Sequence, residues 1–106
     1  MSTALDRRIW QMDAARALLR LLEAGHRAAL PAIDWRVQAS RLLVGEPAPG
    51  PAGDRLAAVH AWAAHLGVEV GETASRGLVV HRAAAQVGEP GHSPVDVTIT
   101  TRIHTD

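Results

Sequence analysis

The stretch VDVTITTRI, residues 95–103, decides how the rest of the chain is read. Val95, Val97, Ile99, Thr101 and Ile103 fall on one side of an extended backbone. Asp96, Thr98, Thr100 and Arg102 fall on the other. This alternation, rich in β-branched residues, predicts a strand with one buried and one wet face. Just upstream, GEPGHSP (88–94) has turn composition, and LVVHRAAAQV (78–87) reads as a second strand despite its alanines. GETASRG (71–77) reads as another turn, and Val68 and Val70 as the start of a short strand. Strands joined by short turns predict an antiparallel meander.

Ahead of the meander, Asp54 can cap a helix over 55–66 that Gly67 stops. Leu56, Val59, Trp62, Ala63 and Leu66 form its apolar stripe, and Ala57, Ala61 and Ala64 its back. GEPAPGPAG (45–53) reads as an exposed, flexible Pro/Gly loop. AIDWRVQA (32–39) alternates again, with Ile33, Trp35, Val37 and Ala39 opposite Asp34, Arg36 and Gln38. TALD, from Thr3, has the Thr-x-x-Asp spacing that caps a helix, predicted over 3–24 with Gly25 as its stop. That helix carries two apolar stripes. One is Leu5, Met12, Ala15, Leu19 and Leu22, with Ile9 at helical spacing; the other is Trp10, Ala14, Ala17 and Leu21. Such a helix is covered on more than one side. The expected fold is one α+β domain over 1–106, of order α-β-α-β-β-β. Two helices pack on one face of a mainly antiparallel sheet of about four strands.

Composition narrows the function classes. The chain of 106 residues has no Lys, Asn, Cys, Phe or Tyr, and all eleven basic residues are Arg. The absent residues other than Cys have AT-rich codons, so a GC-rich bacterial genome is inferred. The Arg-only surface is first a matter of codon usage. Without cysteine there is no disulfide, thiolate nucleophile or sulfur-based zinc site. Charge is balanced: residues 1–53 hold seven Arg against five acids, and 54–106 four Arg against six. Neither half is basic enough to predict nucleic acid or an anionic membrane as partner. No leader-like apolar segment opens the sequence, and no apolar run approaches the roughly 18 residues of a membrane span. The expected location is cytoplasmic.

No motif for catalysis stands out. His60 and His65 are five apart, about 140° around a helix, so they cannot chelate one ion alone. A spatial cluster of His60, His81 and His104 is the remaining metal or hydrolytic reading. Ser2, Ser40, Ser75 and Ser93 lie in no nucleophile elbow, no Gly-rich phosphate loop leads into a helix, and Glu69 and Glu72 read as solvated. No enzyme activity, cofactor or metal is expected.

Two surfaces remain. Arg36, Arg82 and Arg102 would project from the polar sheet face with Gln38, Gln86, Thr98 and Thr100, as a ligand or nucleic-acid face. Trp35 belongs to the apolar side, so that face has no aromatic platform for bases. The other surface is Trp10, Ala14, Ala17 and Leu21 on the first helix, expected to meet a second copy or a protein partner, while the other stripe meets the sheet. The leading expectation is a non-catalytic, self-associating interaction protein; a nucleic-acid accessory protein is the alternative.

The pieces LPAIDWRV, a Pro/Gly-rich gap, AVHAWAAHLGVEV and the closing VDVTITTRI resemble a type of small uncharacterised protein common in actinobacteria. In that type a strand carries a Trp, a Trp-containing helix ends in Leu-Gly, and a β-hairpin closes the chain. The resemblance spans residues 15–104. It implies a bacterial, cytoplasmic α+β protein and transfers no activity, cofactor or site residue.

Overall fold

A computed structural model describes residues 3–38, 41–88 and 91–105. The order is α1 (Ala4–Arg27), β1 (Ile33–Gln38), β2 (Leu42–Pro47), α2 (Ala52–Leu66), β3 (Val70–Ser75), β4 (Leu78–Val87) and β5 (Val95–His104). The chain is α+β with two helices, as expected. The sheet has five strands rather than about four, in the order β1-β2-β5-β4-β3. It is mixed: β2 runs parallel to β5, and the other three pairings are antiparallel. Ala39, the expected end of β1, lies outside the described residues, as do Ser2 and Ser40.

The additional strand is LLVGEP, whose second half was expected in the Pro/Gly loop. Its Gly45 is a packing residue. An added Cβ would lie 2.6 Å from Ile33 Cγ2 and 2.8 Å from Trp35 Cζ3, because the β1 side chains fold over it. Pro47 closes the strand beyond the last β2–β5 pair, Gly45 with Ile99, so its missing N–H removes no bond from that ladder. The expected turn at 71–77 is likewise mostly strand. β3 runs to Ser75, and only Arg76 and Gly77 form the hairpin turn, with Gly77 at φ 66.

Pairing register builds the core. Trp35, Gly45, Ile99, Ala83 and Val70 form one row across all five strands. Its neighbours Leu43 and Val97 are fully buried with Ile99. Both helices cover this face: α1 backs onto β1, β2 and β5, and α2 chiefly onto β4 and β5.

The helix ends follow their local chemistry. Thr3 and Asp6 form the anticipated capping box. α2 starts earlier than expected, with Pro51 at its N-cap, no side-chain cap, and Asp54 inside the first turn. It stops at left-handed Gly67, as expected. α1 instead runs past Gly25, whose missing Cβ admits the Trp62 ring; a Cβ there would stand 3.0 Å from Trp62 Cζ2. The helix closes two residues later. Leu30 N–H donates to Gly25 C=O at 2.9 Å and Ala29 N–H to His26 C=O at 3.4 Å. This is a Schellman closure with alanine at its left-handed position, φ 52. Ala29→Gly is therefore expected to stabilise the protein by about 0.5–1 kcal/mol. Thermal unfolding should register it as a rise of a few degrees; a fall would contradict the cap assignment.

Asp13 fastens α1 to the turn between β1 and β2. Its buried carboxylate accepts Arg41 Nε at 3.1 Å and an Arg16 Nη at 3.4 Å. The Arg41 guanidinium also lies 5.8 Å from the Trp10 ring centroid.

Candidate functional site

α1 turns its two stripes the opposite way from the expectation. Ala14, Ala17 and Leu21 are buried in the core, and Trp10 is half-buried under Arg41. The surface assigned to a partner is thus already covered within the chain. Small residues explain the choice, because Ala14 and Ala17 let the helix settle close on the sheet where bulkier side chains would hold it off. The bulkier stripe is left outside: Leu5 is 63% exposed, Leu19 57%, Met12 53%, Leu22 50% and Ile9 42%. Leu5, Met12 and Leu19 are seven residues apart, and Ala15 and Leu22 repeat that step at an offset of three. This is the 3-4 spacing of a helix-pairing seam. No described segment packs over these five residues, which remain at least two-fifths exposed.

The second surface is the sheet face away from the helices, which carries Arg36, Val44, Thr98 and Ala84 in one row. Arg36, Arg82 and Arg102 all reach this side, as the alternation predicts, but they do not share one site. β5 pairs with β4 along its whole length, yet with β2 only from Asp96 to Ile99. Beyond Ile99 it overhangs, and β2 has left through Pro47. The resulting cleft of about 500 Å³ is lined by Arg36 and Arg102, with Arg55, Glu46, Thr100 and Thr101. Arg82 opens instead onto a separate depression with Glu69 and Glu72.

Arg55 is the side chain that sequence reasoning missed. It sits in the first turn of α2, and only the topology brings it to β5. Its Nε donates to Gly50 C=O at 3.0 Å. One Nη donates to Thr101 Oγ1 and to Arg102 C=O, both at 2.8 Å. Arg36 makes a loose 3.9 Å pair with Glu46. Arg102 has no ion pair among the described residues, and Thr100 Oγ1 is buried without a hydrogen-bond partner.

The histidines do not converge. His60 and His65 are exposed on α2, with His65 edge-on to Trp62 at 6.0 Å. His81 is buried, its Nδ1 3.5 Å from Glu72 Oε1. Among the described residues no three His, Cys, Asp or Glu side chains are grouped to hold a metal ion. Glu72, His81 and Thr101 share a register row that superficially resembles an acid–base–nucleophile series. However, Thr101 Oγ1 already accepts Arg55, and no hydrogen bond joins it to His81 among the described residues. No described helix is long and apolar enough to cross a membrane.

Comparison with protein-family models, curated proteins and solved structures finds no match to this chain.

Proposed function

We propose that the protein is a non-catalytic interaction protein of the bacterial cytoplasm that works as a homodimer, with α1 of one copy packed against α1 of the other. The exposed stripe of Leu5, Met12, Leu19 and Leu22, flanked by Ile9, carries this reading. Five side chains about half exposed present roughly 500 Å² of apolar surface in one strip, at the upper end of what monomers display. Two such strips, with their flanks, approach the area of a specific interface, on the order of 1,200 Å² in total.

The stripe suits its own copy. In a two-fold antiparallel pairing Leu5 lies opposite Leu22 and Met12 opposite Ala15, a large residue against a small one at the centre. Leu19 faces the aliphatic stem of Arg8, whose head reaches solvent. Because α1 is already held by the sheet, pairing costs little ordering entropy.

Sedimentation equilibrium of the wild type should give a dimer, with a melting temperature that rises with protein concentration. Met12→Asp with Leu19→Asp should give a folded monomer, since both side chains stand outside the core. A wild type that stays monomeric at high concentration, or a double variant that stays dimeric, would overturn the proposal.

A further inference from the structure

We infer that the cleft between the end of β2 and the overhang of β5 binds a phosphate dianion, either free or as the terminal group of a small monoester. The inference rests on the arginine cleft alone and is independent of dimerisation.

Charge is the first support. Arg36, Arg55 and Arg102 line the cleft against the single carboxylate of Glu46. Three cations and one anion leave two positive charges for a ligand to balance. The arrangement is also preorganised. Arg55 is held by three acceptors, so its charge is placed before any ligand arrives. Arg102 has no competing carboxylate among the described residues, and the Arg36–Glu46 contact at 3.9 Å is long enough to open.

The backbone adds a donor. Asp96 N–H bonds Arg41 C=O on the β2 side, and Arg102 C=O accepts Arg55 on that same side. Residues of this parity therefore turn their backbone groups toward β2. Beyond Ile99 no β2 residue pairs with them, so Arg102 N–H looks into the cleft. Thr100 lines the same wall, and its buried hydroxyl has no hydrogen-bond partner among the described residues. A fixed guanidinium, a second without an ion pair among the described residues, an amide and a hydroxyl around one concavity suit an oxyanion with several acceptor oxygens. A volume near 500 Å³ admits such a group with a small organic remainder. Arg82 lies outside, beside Glu69 and Glu72, so the basic groups make a discrete site rather than a track for a polyanion.

The test is titration of the full-length protein with inorganic phosphate and, in parallel, with glycerol phosphate. Calorimetry and amide chemical shifts are followed at constant ionic strength. Saturable binding is expected, with shifts centred on Thr100–Arg102. Arg102→Gln should weaken it at least tenfold and Arg36→Gln several-fold. Arg82→Gln, at a residue that lines the separate depression and reaches the site only as the cross-strand neighbour of Thr100, should have a much smaller effect. Both arginines replaced are exposed, so the variants should fold. Tighter binding of glycerol phosphate identifies a monoester as the occupant; equal binding identifies free phosphate, and either supports the site. The monomeric Met12/Leu19 variant should bind equally well, which separates this inference from the dimer. Shifts matched by chloride would overturn it. So would equal losses from Arg82→Gln and Arg102→Gln, or steeply salt-dependent duplex DNA binding weakened alike by all three arginine changes.

Discussion

Trp62→Ala is expected to destabilise the protein by about 3–5 kcal/mol, a large share of the 5–15 kcal/mol typical of a folded domain. Trp62 is 3% exposed and joins four parts of the fold. Its ring meets Trp35 of β1 edge-on at 5.7 Å. It lies against Gly25 of α1, where even a methyl would crowd it. Its indole N–H donates to Pro31 C=O at 2.8 Å, anchoring the link between α1 and β1. Truncation removes the ring that Gly25 of α1 packs against and leaves Trp35 without its aromatic neighbour. Trp62→Phe keeps most of the ring but deletes the donor, and should cost about 1–3 kcal/mol. Urea denaturation of both variants checks the order. A loss below about 1 kcal/mol for Trp62→Ala would show that the surroundings collapse onto the vacated volume.

Gly45→Val is expected to prevent stable folding, and Gly45→Ala to cost about 1–3 kcal/mol by overpacking. The position has no escape. β1 lies on one side and β5 on the other, and the space above is filled by Ile33 and Trp35, whose atoms would stand within 2.9 Å of the new Cβ. The strain is pairwise, so it can be relieved. Trp35→Val beside Gly45→Ala should cost less than the two single changes added together. Thermal melts of the two singles and the double provide the cycle. Strict additivity, or a fully stable Gly45→Ala, would contradict the packing role.

These two residues also show how far the fold could be read in advance. Strands β4 and β5, the alternation of β1, the capping box of α1 and the stop at Gly67 were all legible. Each depends on neighbours close in sequence. β2 was hidden because Gly45 and Pro47 signal a break when read locally. Their role appears only when Trp35 is laid over Gly45 and the pairing with β5 ends before Pro47. Gly25 misled for the same reason, since its absent side chain serves Trp62, more than a third of the chain away. On α1 the two stripes were legible but their assignment was not. A helical projection ranks directions, whereas depth of approach depends on the bulk of what faces the sheet. The cleft was half legible. Arg36 and Arg102 follow from alternation, whereas Arg55 and the separation of Arg82 follow from topology, which no spacing of residues encodes.

The parallel pairing of β2 with β5 has a consequence for how the molecule forms. Every other pairing joins strands that follow one another in the chain, across a short connection. This one joins segments separated by more than half the chain, and it lies at the middle of the sheet. The hairpins can close within microseconds, but the central seam must first pay the entropy of a long loop. The meander and the α1-β1-β2 segment are therefore expected to form as two halves, with their docking as the slow step. Until they dock, β5 presents the apolar row of Val95, Val97 and Ile99 beside an open edge. That half-formed state is the point in the life of the chain most exposed to pairing with a neighbour.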